Sequence, residues 1–313
     1  MSAPSPKILV IRGGALGDFI LTLPAIALIR KNFPQAQIEI LGYPHITAIA
    51  HLRYYADHLK DIEYASLAGF FNPKGTLDPE WANYFSRFHQ IISYLYDPDG
   101  FFEYNLRRCG VKNLLMGEPR ILTDDHASLQ LAKPLEALAL FCETPPVAKV
   151  FPNASDRQQA SIHLPFDDIP TLAIHPGSGS ASKNWPSAYW VEFLSNLHAR
   201  HPAQRLVIVG GESDTSVLQI LRDRFDNKPQ FQFLENFPLP ILAAIFQKCS
   251  LFIGHDSGIS HLAAASGCRC VLLFGPTNPN VWAPLGNHVH IVTSPQKTME
   301  AIRVSDLEKN ISL

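Results

Sequence analysis

Five short segments place glycine, serine or proline beside one charged or imidazole side chain, each directly after an apolar run. Glycines let the backbone turn tightly and approach a ligand closely. The first segment is Arg12-Gly13-Gly14-Ala15-Leu16-Gly17-Asp18. Asp18 falls at a helix start, where a carboxylate either caps free N–H groups or faces a ligand. The second runs from His175 through Pro176-Gly177-Ser178-Gly179-Ser180 to Lys183-Asn184-Trp185-Pro186. Small and hydroxyl residues followed by one lysine suit an anion such as phosphate, and a solvated loop is the plain alternative. Neither segment has a familiar nucleotide spacing. The glycines at 13, 14 and 17 are not G-x-G-x-x-G, Gly42-Tyr43-Pro44 stands where a ribose-binding acid belongs, and no G-x-x-x-x-G-K-[ST] surrounds Lys183. These departures argue against a Rossmann dehydrogenase and a P-loop enzyme.

The third segment is Gly210-Gly211-Glu212. Its carboxylate can accept hydrogen bonds from ribose hydroxyls, or can simply favour the first turn of a helix. The fourth, Gly254-His255-Asp256-Ser257-Gly258-Ile259-Ser260-His261-Leu262, joins a strand to a helix of small residues. A helix N-terminus offers N–H groups and a positive dipole end to a phosphate. Ser257 and His261 are four apart and share a face, although a capped helix with a packed histidine would look the same. The fifth is Phe274-Gly275-Pro276-Thr277-Asn278-Pro279 with Trp282-Ala283-Pro284-Leu285-Gly286, a loop able to wall the same pocket.

The elements that must position these segments alternate strand with helix. Lys7–Arg12, Gln37–Leu41 and Gln90–Leu95 read as strands, and a helix runs from about Asp18 to Phe33. Residues 43–88 carry many aromatics and read as packed but irregular. After residue 170 the pattern is clearer. Strands are expected at Leu172–His175, Arg205–Val209, Gln230–Leu234, Leu251–Ile253 and Cys270–Phe274. Helices are expected at Tyr189–Arg200, Asp214–Phe225, Ile241–Lys248 and Ser257–Ser266, with a last one at Ser305–Ile311. Such alternation predicts parallel sheets covered by helices on both faces. The breakers Pro145-Pro146, Pro152, Pro165 and Pro170 predict a domain boundary near residue 152. Two doubly wound domains with a cleft between them are therefore expected, with ligands at the carboxyl ends of the strands.

Composition narrows the function. The chain has 313 residues, 26 Lys+Arg against 28 Asp+Glu, and 46 % hydrophobic residues, which suits about two globular domains. Residues 1–150 carry 14 basic against 15 acidic side chains, and residues 151–313 carry 12 against 13, so neither half is a nucleic-acid module. The start, Met1 to Pro6, lacks a signal-peptide pattern, and the apolar stretch Phe19–Ile29 is too short to span a bilayer. The five cysteines (109, 142, 249, 268, 270) form no C-x-x-C and read as free thiols in a reducing cytosol. Asp97-Pro98-Asp99 reads as a turn and His288-x-His290 lacks further ligands, so no metal site is expected.

Six strings in order, R-G-G-A-L-G-D (12–18), P-G-S…K-N-W-P (176–186), V-G-G-E (209–212), D-S-G-x-x-H-L-A-A-A (256–265), F-G-P-T-x-P (274–279) and W-x-P-L-G (282–286), together resemble glycosyltransferase family 9. These are the ADP-heptose:lipopolysaccharide heptosyltransferases. The resemblance covers nearly the whole chain. It implies a GT-B architecture: an acceptor-binding Rossmann-like domain over residues 1–152, a nucleotide-sugar-binding one over 153–296, and a C-terminal helix in 297–313 that crosses back to the first domain. It also implies inverting, metal-independent transfer, with no cofactor beyond the nucleotide-sugar co-substrate.

Residue by residue, the resemblance makes Asp18 the general base and Lys183 the catalytic lysine that meets the donor phosphates. Glu212 matches the ribose-binding acid, and Asp256 contacts the donor sugar or its pocket. Ser257 and Gly258 present N–H groups to the diphosphate beside His261, while Ser178 and Gly179 are small donor contacts. Phe237, in Glu235–Pro240, stands where the family often has a small-residue turn and is expected at the base. Gly13, Gly14, Arg53, Lys60, Arg107 and Arg120 are the acceptor-side candidates. The expected reaction moves heptose from ADP-heptose to a lipopolysaccharide core or related glycan. Other readings remain open at this point: another nucleotide sugar, a protein or polysaccharide acceptor, or a nucleotide-sugar-binding pseudoenzyme. The expected location is cytoplasmic, peripheral at the inner membrane, with no nucleic-acid partner.

Overall fold

A computed structural model describes residues 5–164 and 169–311. Met1 to Pro4 and Pro165, named above, lie outside the described residues. The chain divides into two compact units, Met1–Pro146 and Val147–Leu313. The boundary thus precedes the expected residue 152. The physical reason is local: Val150 is buried and its N–H donates to the Ala265 carbonyl of the second unit (2.9 Å).

The first unit runs β1 (Lys7–Arg12), α1 (Leu16–Asn32), β2 (Gln37–Gly42), α2 (Pro44–Thr47), β3 (His58–Asp61), α3 (Pro79–Ser86), β4 (Gln90–Ser93), α4 (Phe101–Arg108), β5 (Leu114–Met116) and α5 (Ala127–Ala132). Its strands are all parallel, in the order β3-β2-β1-β4-β5. The connections therefore wind outward from β1 toward β3 and, beginning again at β4, toward β5. The switch point lies between β1 and β4. The inner strands are buried on both faces, which explains their apolar runs, interrupted in β2 by Glu39.

The aromatic region 43–88 is packed, as expected, yet more regular than expected. Phe70, Trp81, Phe85 and Phe102 interlock at ring distances of 5.2–6.4 Å, two of the contacts edge to face and two tilted, and form a core beside β1 and β4. Edge-to-face rings at such separations add attraction beyond area burial. The Asp97-Pro98-Asp99 turn is also structural: the Asp97 carboxylate accepts from the N–H groups of Phe102 (3.0 Å) and Glu103 (2.9 Å) and caps α4.

The second unit runs α6 (Ala154–His163), β6 (Thr171–Ile174), α7 (Ser187–Arg200), β7 (Arg205–Gly210), α8 (Thr215–Phe225), β8 (Phe231–Glu235), α9 (Leu239–Phe246), β9 (Leu251–His255), α10 (Gly258–Ala265), β10 (Cys270–Phe274), α11 (Pro279–Trp282), β11 (Val289–Thr293) and α12 (Val304–Lys309). Its six parallel strands lie in the order β11-β10-β9-β6-β7-β8, with the switch point between β6 and β9. Within the second unit the C-terminal helix has a clear seat. Here α12 packs on α7, with Leu307 in the second unit's core and Glu308 bonded to Asn196 (3.1 Å) and paired with Arg200. Leu307 and Val304 are the apolar stripe of this short helix, and burying them against α7 holds it there.

The cysteines are all free thiols, three buried and two half-buried. Among the described residues, no helix is long and apolar enough to cross a membrane.

Candidate active site

In open parallel sheets the crevice for a ligand lies outside the carboxyl ends of the strands, where the winding reverses. Each unit has one such place, and the sequence-predicted residues divide between them.

In the first unit, β1 ends in Arg12, which is buried to 4 % exposure. Its Nη1 donates to the Tyr94 carbonyl just past β4 (3.3 Å), so the side chain bridges the switch point. Its Nη2 lies 3.7 Å from Asp18 Oδ1. Burial lowers the pKa of this guanidinium, and Asp18 and then Tyr94 push it back up. Gly13 and Gly14 turn the chain into α1. Gly14 has φ +92°, a left-handed conformation that favours glycine, and a Cβ there would meet Asp18 Oδ2 at 2.9 Å. Asp18 sits in the first turn of α1, and Oδ2 accepts from the Ala15 N–H (3.1 Å). The carboxylate is thus oriented by a buried cation and a backbone donor, while its side chain stays 39 % exposed to an incoming group.

The four basic acceptor-side candidates do not gather around Asp18. Arg53 donates to the carbonyls of Ala48 (2.8 Å) and His51 (2.6 Å) and braces the turn before β3. Lys60 sits within 4.7–5.5 Å of the rings of Trp81, Tyr84 and Tyr64. Arg107, in the last turn of α4, pairs with Glu103 at 2.8 Å. Arg120 follows β5 at the carboxyl edge, paired with Glu118 (3.0 Å) and 4.5 Å from the ring of Tyr96. It follows the last strand of the sheet at the carboxyl edge, the edge that carries Asp18.

The second unit's site is built from four loops. Lys183 Nζ lies 2.8 Å from Asp256 Oδ2, close in distance though outside good hydrogen-bond alignment. Asp256 is 8 % exposed and Lys183 31 %, so the ammonium remains within reach of a ligand. The lysine's short helical turn, Ala181–Lys183, is held from both sides. Ser178 Oγ lies 2.8 Å from both the Ser180 carbonyl and Asn184 Oδ1. Trp185 donates its backbone N–H to His255 Nε2 (3.1 Å) and its indole N–H to the Ile302 carbonyl (2.8 Å). Ser178 therefore shapes the loop from inside, whereas Gly179 is exposed, with open space beside it.

Ser257 caps α10, its Oγ accepting from the Ser260 N–H (3.3 Å). The first N–H groups of a helix have no intrahelical acceptor, so those of Gly258 and Ile259 point out of the cap. His261 lies one turn on, buried at 5 % exposure. Glu212 is exposed at the start of the short turn after β7. Phe237, half-buried after β8, meets the His163 ring edge-on at 4.7 Å. Asp256, Lys183, Glu212 and Phe237 thus follow one edge across β9, β6, β7 and β8. At ~4.8 Å per strand that edge spans ~14 Å, long enough for a ligand with two chemically distinct ends.

Three residues given no role in the sequence reading support these loops: Arg12, His175 and Asp214. His175 Nε2 lies 3.2 Å from Asp214 Oδ2, and its Nδ1 lies 3.2 Å from Ser257 Oγ. Burial pushes the Asp214 pKa up, but hydrogen bonding and charge from His175 outweigh it, aided by the Gly211 N–H, and the pKa is lowered. The fully buried His255 is held down to about 3, first by burial and then by nearby His175, and is neutral. The signal available in sequence was positional: Arg12, His175 and His255 each end or follow directly an apolar strand run. Among the described residues, no group of three or more His, Cys, Asp or Glu side chains is placed to hold a metal ion.

The sequence profile described as glycosyltransferase family 9 (heptosyltransferase) matches residues 124–312, more than half of the chain. The chain belongs to glycosyltransferase family 9. Among curated relatives, lipopolysaccharide heptosyltransferase 3 of Escherichia coli is 24 % identical over 300 residues, covering 87 % of this chain and 84 % of the relative. Lipopolysaccharide heptosyltransferase 1 of Pseudomonas aeruginosa is 29 % identical over 137 residues, covering 44 % of this chain and 37 % of the relative. Among solved structures, a family 9 glycosyltransferase from Veillonella parvula superposes with a TM-score of 0.77 at 21 % identity, covering 97 % of this chain and 95 % of that one. E. coli heptosyltransferase WaaC with ADP superposes with a TM-score of 0.73 at 14 % identity, covering 97 % and 98 %. The two doubly wound sheets are thus those of a family 9 enzyme, and the protein is a glycosyltransferase that uses a nucleotide-sugar donor and a glycan acceptor.

Proposed function

We propose that this family 9 enzyme transfers heptose from ADP-heptose to a lipopolysaccharide core or closely related glycan, with inversion and without a metal. The observation that carries the reading is the Lys183–Asp256 pair beside the Ser257-capped start of α10, at the switch point of the second sheet. Cationic and N–H donors gathered there suit a diphosphate. The donor assignment draws support from similar proteins, since E. coli WaaC is described with ADP and with ADP-2-deoxy-2-fluoro heptose. The acceptor assignment draws on relatives that are lipopolysaccharide and lipooligosaccharide heptosyltransferases.

In this reading Asp18 takes the proton of the acceptor hydroxyl as its oxygen attacks the anomeric carbon. The bond from that carbon to the diphosphate oxygen breaks on the opposite face. Lys183 leaves Asp256 for the departing phosphate and offsets its growing charge. Glu212 binds the ribose, Phe237 borders the base, and Asp256 turns to the donor sugar. Arg120, beside the exposed ring of Tyr96, is the basic group best placed for the acceptor. A lipid-linked acceptor implies peripheral contact with the cytoplasmic face of the inner membrane.

Calorimetric titration with ADP-, UDP-, GDP- and CDP-sugars tests the donor. Selective binding of ADP-heptose, weakened by Lys183→Ala, is expected. Selective binding of another nucleotide would overturn the heptose assignment and make the Phe237–His163 pair the first place to look. Flotation with liposomes carrying or lacking the acceptor lipid tests the membrane contact.

A further inference from the structure

Three side chains from three loops of the second unit form one buried chain: Asp214 after β7, His175 after β6 and Ser257 after β9. His175 and Asp214 are each 4 % exposed and Ser257 9 %. We infer that Asp214 and His175 are positioning residues for the donor diphosphate, acting through Ser257 to fix the loop that opens α10. The inference rests on the donor site proposed above and deepens it.

The directions of the hydrogen bonds follow from the partners. Ionised Asp214 only accepts, and its Oδ2 already takes the Gly211 N–H (2.8 Å). The His175 nitrogen facing it, Nε2, must therefore carry hydrogen. In neutral His175 the other nitrogen, Nδ1, accepts, and the donor within reach is the Ser257 hydroxyl. The neighbouring Ser260 hydroxyl is already committed to the His255 carbonyl (2.5 Å). The Ser257 hydroxyl hydrogen thus points inward to His175, while its oxygen accepts the Ser260 N–H and caps the helix. The cap is held in a single rotamer, and the outward N–H groups of Gly258 and Ile259 are pre-aimed.

The chain has no slack at its far end. A Cβ on Gly177 would lie 1.8 Å from Asp214 Oδ1, so the loop carrying Ser178 and Lys183 is moulded around the same carboxylate. Removing His175 would leave Asp214 as a buried carboxylate without its main partner and free the Ser257 hydroxyl to turn. Loops after β6, β7 and β9 would then relax together, and all three border the ligand edge.

The test is titration of the purified protein with ADP, together with steady-state kinetics in the sugar donor. His175→Ala and Ser257→Ala are each expected to weaken ADP about tenfold, the size of one buried hydrogen bond. The double variant should be no weaker than either single, because the two act as one chain. The loss should fall on KM for the donor, with kcat at saturating donor far less affected. His175→Asn, which can still offer an amide to Ser257, should recover part of the affinity. Should His175→Ala fail to fold, Asp214→Asn keeps the shape, removes the obligate acceptor and should still weaken ADP severalfold. Losses that multiply in the double variant would overturn the inference. So would ADP affinity unchanged in His175→Ala despite a lowered Tm, which marks a merely structural role. Lys183→Ala separates the two levels. If it leaves ADP binding intact, the donor site is misplaced and this inference falls with it. If it weakens ADP while His175→Ala does not, only the positioning role is lost.

Discussion

The two switch points solve opposite problems with similar backbones. In the first unit one buried cation, Arg12, presses against a carboxylate that stays 39 % exposed. The Asp18 carboxylate is turned outward over a buried arginine. In the second unit the exposed ammonium of Lys183 rests on a polar interior, Asp256, Ser257, His175 and Asp214, in which each side chain is under one-tenth exposed. A proton acceptor needs access to one hydroxyl. A diphosphate site needs several donors aimed at once, and aim comes from buried hydrogen bonds that leave each loop a single conformation. On the proposed function, the contrast separates a chemical edge from a binding edge.

The sharpest way to break this contrast is Asp18→Asn. It should lower kcat by about 10²–10⁴-fold while ADP affinity stays near that of the wild type, measured by steady-state kinetics and titration. Equal losses in both would mean that the first unit also holds the donor. Lys183→Ala should cost about 10²–10³-fold in kcat/KM, with ADP binding weakened alongside. A loss confined to kcat, with ADP binding intact, would mean that the donor site is misplaced.

Smaller effects sharpen the comparison through stability. Gly177→Ala forces a methyl against Asp214 and should destabilise the fold by about 1–3 kcal/mol, read by chemical denaturation, with ADP binding weakened as well. His255 makes the second unit pH-sensitive. Its pKa lies at about 3 when folded, against 6.5 as the ordinary value. Between those values the unfolded chain binds more protons than the folded one, so stability rises with pH through this window and levels off above it. The slope should approach about 1.4 kcal/mol per pH unit. Denaturation series between about pH 4.5 and 6.5 should show it in the wild type and lose it in His255→Asn; the same slope in both would refute the assignment. Asp214, with its lowered pKa, adds a loss only at lower pH, as acid protonates the carboxylate. The smallest expected effect is at Gly14, where alanine at φ +92° should cost about 1–2 kcal/mol and tilt Asp18, lowering kcat without touching ADP affinity.

Much of this architecture was legible in the sequence because the inner strands are buried on both faces and so read as unbroken apolar runs. That holds for β1 and β4 in the first unit and for β6, β7, β9 and β10 in the second. The outermost strands of the first sheet were not legible. β3 is His-Leu-Lys-Asp, polar as befits an edge, and β5 has three residues. The candidate site residues were legible only where a family motif offered a match. The supports beneath them were not: Arg12, His175 and Asp214 owe their roles to partners 6 to 82 positions away. Spacing within a segment carries no trace of such contacts. The packing of α12 on α7 was not legible for a similar reason, since nothing local in Val304–Lys309 names α7 as its partner.

The bond from the Trp185 indole to the Ile302 carbonyl spans 117 positions of sequence. Proteins are made from the amino end, so a nascent chain that has reached β10 already owns every strand bordering the second switch point. It still lacks the carbonyl that fixes Trp185, and with it the anchor of the Lys183 turn. The Lys183 turn therefore gains its anchor only after β11, the last strand of the sheet, has been made.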